Sequence, residues 1–106
     1  MNKYEKLRVD LMAAIAAGEE AERNSSNDGG TCNMDSAVLI LPRWEAKKVK
    51  QAAREAEVCL FKKGSGVYLV MPRTYAQGYS RTRNAESVCA SLKAAGYNAG
   101  MWYQMD

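Results

Sequence analysis

Two short apolar runs set most of what this chain can become. Residues 37–41 (AVLIL) and 67–71 (VYLVM) are each continuous, and each stops at a proline, Pro42 or Pro72, followed at once by an arginine. Uninterrupted apolar stretches of this length, too short for helices and closed by proline, mark strands buried on both faces. Helical spacing follows each of them. Val49, Ala52, Ala53 and Ala56 recur within residues 44–56, leaving Lys47, Lys48, Lys50 and Arg54 for water, and Ala85, Val88, Cys89 and Leu92 recur after the second run. In that later helix Asn84 is placed to serve as the N-cap, and Gly96 sits just past the C-terminus.

Weaker strand signals complete the order. VCLF (58–61) and the turn KKGSG (62–66) lead into the second apolar run as a hairpin. In AGMWYQM (99–105), Met101, Tyr103 and Met105 alternate with Trp102 and Gln104, as in a strand with two unlike faces. Ahead of these elements Tyr4, Leu7, Leu11 and Ile15 recur at helical spacing, and NSSNDGG (24–30) reads as loop. The chain is therefore one α+β domain over residues 1–106: an N-terminal helix within 1–23, a loop over 24–35 and a βαββαβ core over 36–106. This order predicts a ferredoxin-like arrangement, with a four-stranded antiparallel sheet ordered 4-1-3-2. The two core helices cover one sheet face. The N-terminal helix, or a second copy of the chain, is expected on the other, because Val38, Ile40, Tyr68 and Val70 cannot all point at helices.

Composition narrows the chemistry. The chain has 106 residues, enough for a single core, with three cysteines (Cys32, Cys59, Cys89) and no histidine. An odd number of widely spaced cysteines without histidine argues against zinc, haem and a disulfide framework, so no cofactor or metal is expected and a reducing cytoplasm is favoured. The cysteines read as small buried apolar groups. Ser-His-Asp and Cys-His catalysis are ruled out. No apolar run is long enough to span a bilayer. The formal charge of +3 hides an asymmetry: residues 1–35 hold 4 basic and 7 acidic groups, and residues 36–106 hold 11 and 5. The basic character belongs to the core, where it concentrates anions.

Residues 72–86 (PRTYAQGYSRTRNAE) pack arginines and tyrosines around a glycine. The two central strands are expected to run parallel, so that their C-terminal ends emerge together and Arg43 and Arg73 become neighbours, each opening toward a helix N-terminus suited to anions. Arg81 and Arg83 would join them. The four arginines are then candidates for holding phosphates, and Trp44, Tyr75, Tyr79 and Tyr97 for stacking on a base. The opposite end is expected to gather residues 31–35 (TCNMD), the KKGSG turn and the C-terminal QMD. There Thr31, Asn33 and Asp35 serve a ligand's ribose or amide groups, or else cap the first strand.

Taken together, GGTCNMD, LPRW, SRTRNAES and the terminal YQMD resemble the punctuation of short uncharacterised proteins of phages and prophages. The resemblance runs over residues 29–106. It implies a cytoplasmic protein expressed during infection, of a class that often counters host defence by blocking a nuclease complex or sequestering a nucleotide signal. The expected function is non-enzymatic binding of a phosphate-bearing ligand such as a nucleotide, shared across a homo-oligomer. The alternative is an inhibitor of the anti-CRISPR type, using the same basic surface against an acidic protein or nucleoprotein partner. A metal-independent phosphodiesterase with Asp35, Glu86 or Tyr79 as base is a third. RNA reading on the sheet face is not expected, because GVYLVM offers only Tyr68.

Overall fold

The computed structural model describes residues 1–25, 33–74 and 78–104. Its elements follow the order α1 (Lys3–Arg23), β1 (Ser36–Ile40), α2 (Ala46–Glu55), β2 (Leu60–Gly64), β3 (Val67–Val70), α3 (Tyr79–Ala94) and β4 (Asn98–Trp102). The sheet order is β2-β3-β1-β4, and every neighbouring pair is antiparallel. This is the ferredoxin-like core with a helix added in front.

Local chemistry places the helix ends. Asn2 caps α1 by accepting from the N–H groups of Tyr4 and Glu5, both at 2.9 Å. Both α2 and α3 close with a residue in the left-handed region whose successor donates back into the last turn. At α2 this is Glu57 (φ 59), with Val58 N–H donating to Ala53 O at 2.9 Å. At α3 it is Gly96 (φ 101), with Tyr97 N–H donating to Leu92 O at 3.1 Å. These are Schellman closures, and only the second uses the glycine that the geometry prefers.

Strand register sorts the core. Leu39 stands opposite both Tyr68 and Ala99, and Ala37 opposite Val70 and Met101. Because side chains alternate, these residues point to the helix side, where Ala37, Leu39, Tyr68, Val70 and Ala99 are buried. Val38, Ile40, Val67 and Leu69 point the other way and are only partly buried. The central strands are thus deeply buried on one face rather than on both.

The N-terminal helix does not cover the second face. It lies on the same side as the other two helices, packed along α3 and against α2, while α3 rests on β1 and β4. Leu7, Leu11, Ala14 and Ile15 join the central core from there. Full burial of each large side chain among them contributes roughly 1.5–3 kcal/mol. The other sheet face stays uncovered among the described residues, with Phe61 58% exposed on it.

Three boundaries differ from expectation. The last helix starts at Tyr79 instead of beyond Asn84, which is fully buried in mid-helix. β2 continues through Lys62 and Lys63, so the hairpin turn is only Ser65 and Gly66. β4 ends at Trp102, and Met105 lies outside the described residues. Of the cysteines, Cys89 is buried, Cys59 is exposed and Cys32 lies outside the described residues.

Candidate functional site

Antiparallel pairing of β1 with β3 separates the residues that parallel strands would have united. Arg43 follows β1 and Arg73 follows β3, so the two arginines sit at opposite ends of the sheet. The KKGSG turn moves as well. Leu41 N–H donates to Gly66 O at 2.7 Å, which puts this turn beside Arg43. A Cβ at Gly66 would come within 3.0 Å of Leu41 O, so the contact needs glycine.

At the Arg43 end, Trp44 N–H donates to Leu41 O (3.3 Å) across a turn with Pro42 second and Arg43, at φ 67, third. That is the type II pattern, in which the third position favours glycine or asparagine. The exposed Arg43 side chain has no hydrogen bond or ion pair among the described residues. Trp44 turns inward instead, meeting Tyr4 edge-on at 5.3 Å between centroids and Tyr97 at 6.4 Å. Lys3 Nζ stands 4.6 Å from the Trp44 ring centre, and Lys6 Nζ 4.8 Å from that of Tyr97. Asp10 accepts from Tyr97 Oη and from Lys6 Nζ, both at 2.7 Å. Burial pushes the Asp10 carboxyl up, but the bonds from Lys6 and Tyr97 outweigh it and hold Asp10 below its ordinary value. Burial and the bond to Asp10 push the Tyr97 hydroxyl well up. Trp44 and Tyr97 do meet, as expected, but in a clamp on α1.

At the other end Arg73, Arg81 and Asn33 lie near the start of α3. Arg73 donates to Glu57 O at 2.7 Å and stands 3.8 Å from Glu19. Arg81 Nε donates to the carbonyl of Asp35 at 3.2 Å, while its buried Nη2 has no partner among the described residues. Burial lowers the Arg81 pKa, partly offset by Asp35 and Glu22. The carboxylate of Asp35 accepts from Thr82 Oγ1 (2.7 Å) and Gln104 N–H (2.8 Å). Asn33 Nδ2 donates to Gly78 O (2.8 Å) and Thr82 Oγ1 (3.1 Å), tying the segment before β1 to α3. Glu22 accepts from Asn84 Nδ2 (3.0 Å) and from Thr74 Oγ1. Tyr79 and Arg83 are exposed on α3, and Thr31 and Tyr75 lie outside the described residues.

The cluster of four arginines and four aromatics is therefore not one site. Arg73 and Arg81 are already engaged by acidic side chains or carbonyls. Of the phosphodiesterase candidates, Asp35 is held as above, Glu86 accepts from Tyr103 Oη at 2.7 Å, and Tyr79 is exposed.

What the fold does leave exposed is a basic stretch of the chain. Residues 43–63 hold Arg43, Lys47, Lys48, Lys50, Arg54, Lys62 and Lys63 against Glu45, Glu55 and Glu57. All seven cations are exposed, on the turn before α2, on α2 and on the edge strand β2, where exposed Phe61 precedes Lys62 and points to the open sheet face and Lys63 Nζ stands 4.2 Å from the Trp102 ring centre. Among the described residues only Lys48 of the seven is ion-paired, to Glu45 at 3.0 Å. The helix lysines read from sequence as a solvated face, and Lys62 and Lys63 as turn. The signal that finds them is the excess of seven cations over three acids in one 21-residue stretch.

The chain matches no family model, no curated protein and no solved structure.

Proposed function

We propose that this chain is a non-enzymatic binding protein whose α2–β2 surface engages an acidic macromolecular partner. The observation that carries this reading is the exposure of Arg43, Lys47, Lys50 and Lys62, none of them ion-paired among the described residues. A surface of this kind steers and holds polyanions, and Phe61 adds an apolar contact at its edge. A nucleoprotein complex of the kind implied by the phage resemblance is one such partner. The test is fluorescence anisotropy with labelled single-stranded DNA, duplex RNA and polyglutamate over a series of salt concentrations. Binding of one probe that weakens steeply with salt supports the reading. No binding to any probe at low salt rejects it.

A phosphate-bearing small ligand, such as a nucleotide, is the second reading. One observation favours it: Arg81 Nη2, which has no partner among the described residues, lies near the start of α3, whose Gly78 offers no side-chain cap. Native mass spectrometry against linear and cyclic nucleotides tests it. Retention of one nucleotide by the wild type and its loss in Arg81→Met would place the site there.

A further inference from the structure

The two edges of the sheet are built differently. β2 carries Lys62 and Lys63 and shifts register between Lys62 and Gly64, two devices that discourage another strand from adding to an edge. β4 has neither. Residues 96–104 contain no charged group and no proline, and β4 pairs with β1 without a register shift.

The direction of its backbone groups follows from hydrogen bonds on both sides of β1. Leu41 N–H bonds to Gly66 O, so odd-numbered residues of β1 face β3. Met34 N–H bonds to Gln104 O at 2.7 Å, so even-numbered positions of β1 and β4 face each other. In an antiparallel ladder both polar groups of a residue point the same way. The N–H and C=O groups of Ala99 and Met101 therefore point outward, where no other strand lies among the described residues.

We propose that a second copy of this chain pairs along β4, antiparallel, about a two-fold axis through Gly100, joining the two sheets into one. In this register Ala99 of one copy faces Met101 of the other, and their outward groups satisfy each other on both sides of the axis. The two Gly100 residues form the central non-hydrogen-bonded pair, where Cα atoms approach to about 4.5 Å and side chains crowd most. Glycine stands at that point. On the helix side, Tyr97 of one copy meets the exposed Tyr103 of the other. On the open side, Asn98 meets Trp102. The strand is its own complement in this register, which is why the occupant is a second copy and not an unrelated strand.

The test uses two lysine substitutions. A Cβ at Gly100 or at Gly64 meets nothing within 4 Å, so Gly100→Lys and Gly64→Lys should both fold, as circular dichroism checks. Light scattering after size exclusion is expected to give a dimer of the 11.7 kDa chain for wild type and Gly64→Lys. Gly100→Lys, which sets two like charges across the axis, should be monomeric or at least tenfold weaker in association. Hydrogen exchange adds a register-specific readout: the Ala99 and Met101 amides should exchange at least tenfold more slowly in wild type than in Gly100→Lys. A wild type monomeric up to millimolar concentration, a Gly100→Lys dimer of unchanged affinity, or a dimer with both amides unprotected would each overturn the proposal.

Discussion

The side-chain oxygen of Asn84 lies so close to the backbone of Gly18 that a Cβ at position 18 would stand 2.2 Å from it. α1 and α3 approach tightly here, which explains a glycine inside a helix otherwise rich in alanine. Asn84 Oδ1 is fully buried and accepts no N–H or O–H among the described residues. Gly18→Ala gains about 1 kcal/mol of helix propensity but must displace Asn84 and also Val88, whose Cγ2 would be 2.8 Å away. Overpacking of this kind typically costs about 1–3 kcal/mol. Urea denaturation is expected to show a net loss, and adding Asn84→Ala should recover less than the whole of it, since Val88 remains.

Among the described residues two hold left-handed backbone without being glycine, and replacing each should affect binding differently. Glu57 (φ 59) closes α2, and Arg43 (φ 67) sits in the turn before it. Glycine at either position relieves a cost on the order of 1 kcal/mol. Both Glu57→Gly and Arg43→Gly should therefore raise the thermal midpoint by a few degrees. Glu57→Gly should leave polyanion binding unchanged or slightly stronger, whereas Arg43→Gly should weaken it while stabilising the fold. A stabilised Arg43→Gly with unaltered binding would remove Arg43 from the surface.

Much of this architecture can be read in the residues, and the failures have definite causes. Continuous apolar runs closed by proline marked β1 and β3, and Gly96 marked the end of α3. Strand direction did not follow from those runs. Each helix links two parallel strands, but the partner strand of one unit lies between the two of the other, so the central pair is antiparallel and Arg43 parts from Arg73. The stripe of Leu7, Leu11 and Ile15 said that α1 needs a partner, yet an amphipathic stripe fits a groove between helices as well as a sheet face. Asn84 has the chemistry of a cap, and only tertiary contact with Glu22 shows why it stands mid-helix. The basic surface was divided among a helix and a misplaced turn, so its cations were never counted together.

The clamp between α1 and the turn before β4 should fail at both extremes of pH. Asp10 is held below its ordinary value in the folded chain, so its contribution is complete above about pH 4 and is lost as pH falls through the folded pKa. Tyr97 is raised, so its contribution is complete below about pH 10 and is lost as pH climbs beyond that. Asp10→Asn should be less stable than wild type at pH 7, with the gap narrowing below pH 4. Tyr97→Phe should lose about 1.5–3 kcal/mol at neutral pH, the range for a hydrogen bond to a charged group, and show a shallower decline above pH 10. Chemical denaturation at fixed pH steps measures both.

The placement of the binding surface can be tested against the arginines at the start of α3. Lys47, Lys50 and Lys62 are exposed, and none forms an ion pair among the described residues, so Lys47→Glu, Lys50→Glu and Lys62→Glu together should leave the thermal midpoint nearly unchanged. Arg83 is equally exposed, on α3. Reversing three charges inside a polyanion contact removes three attractions and adds three repulsions, so affinity for the best anisotropy probe should drop at least tenfold, and its salt dependence should flatten. Arg83→Glu should change affinity less than twofold, because its charge lies off the α2–β2 surface. The reverse ranking would move the site to the start of α3 and revive the phosphate-ligand reading around Arg81.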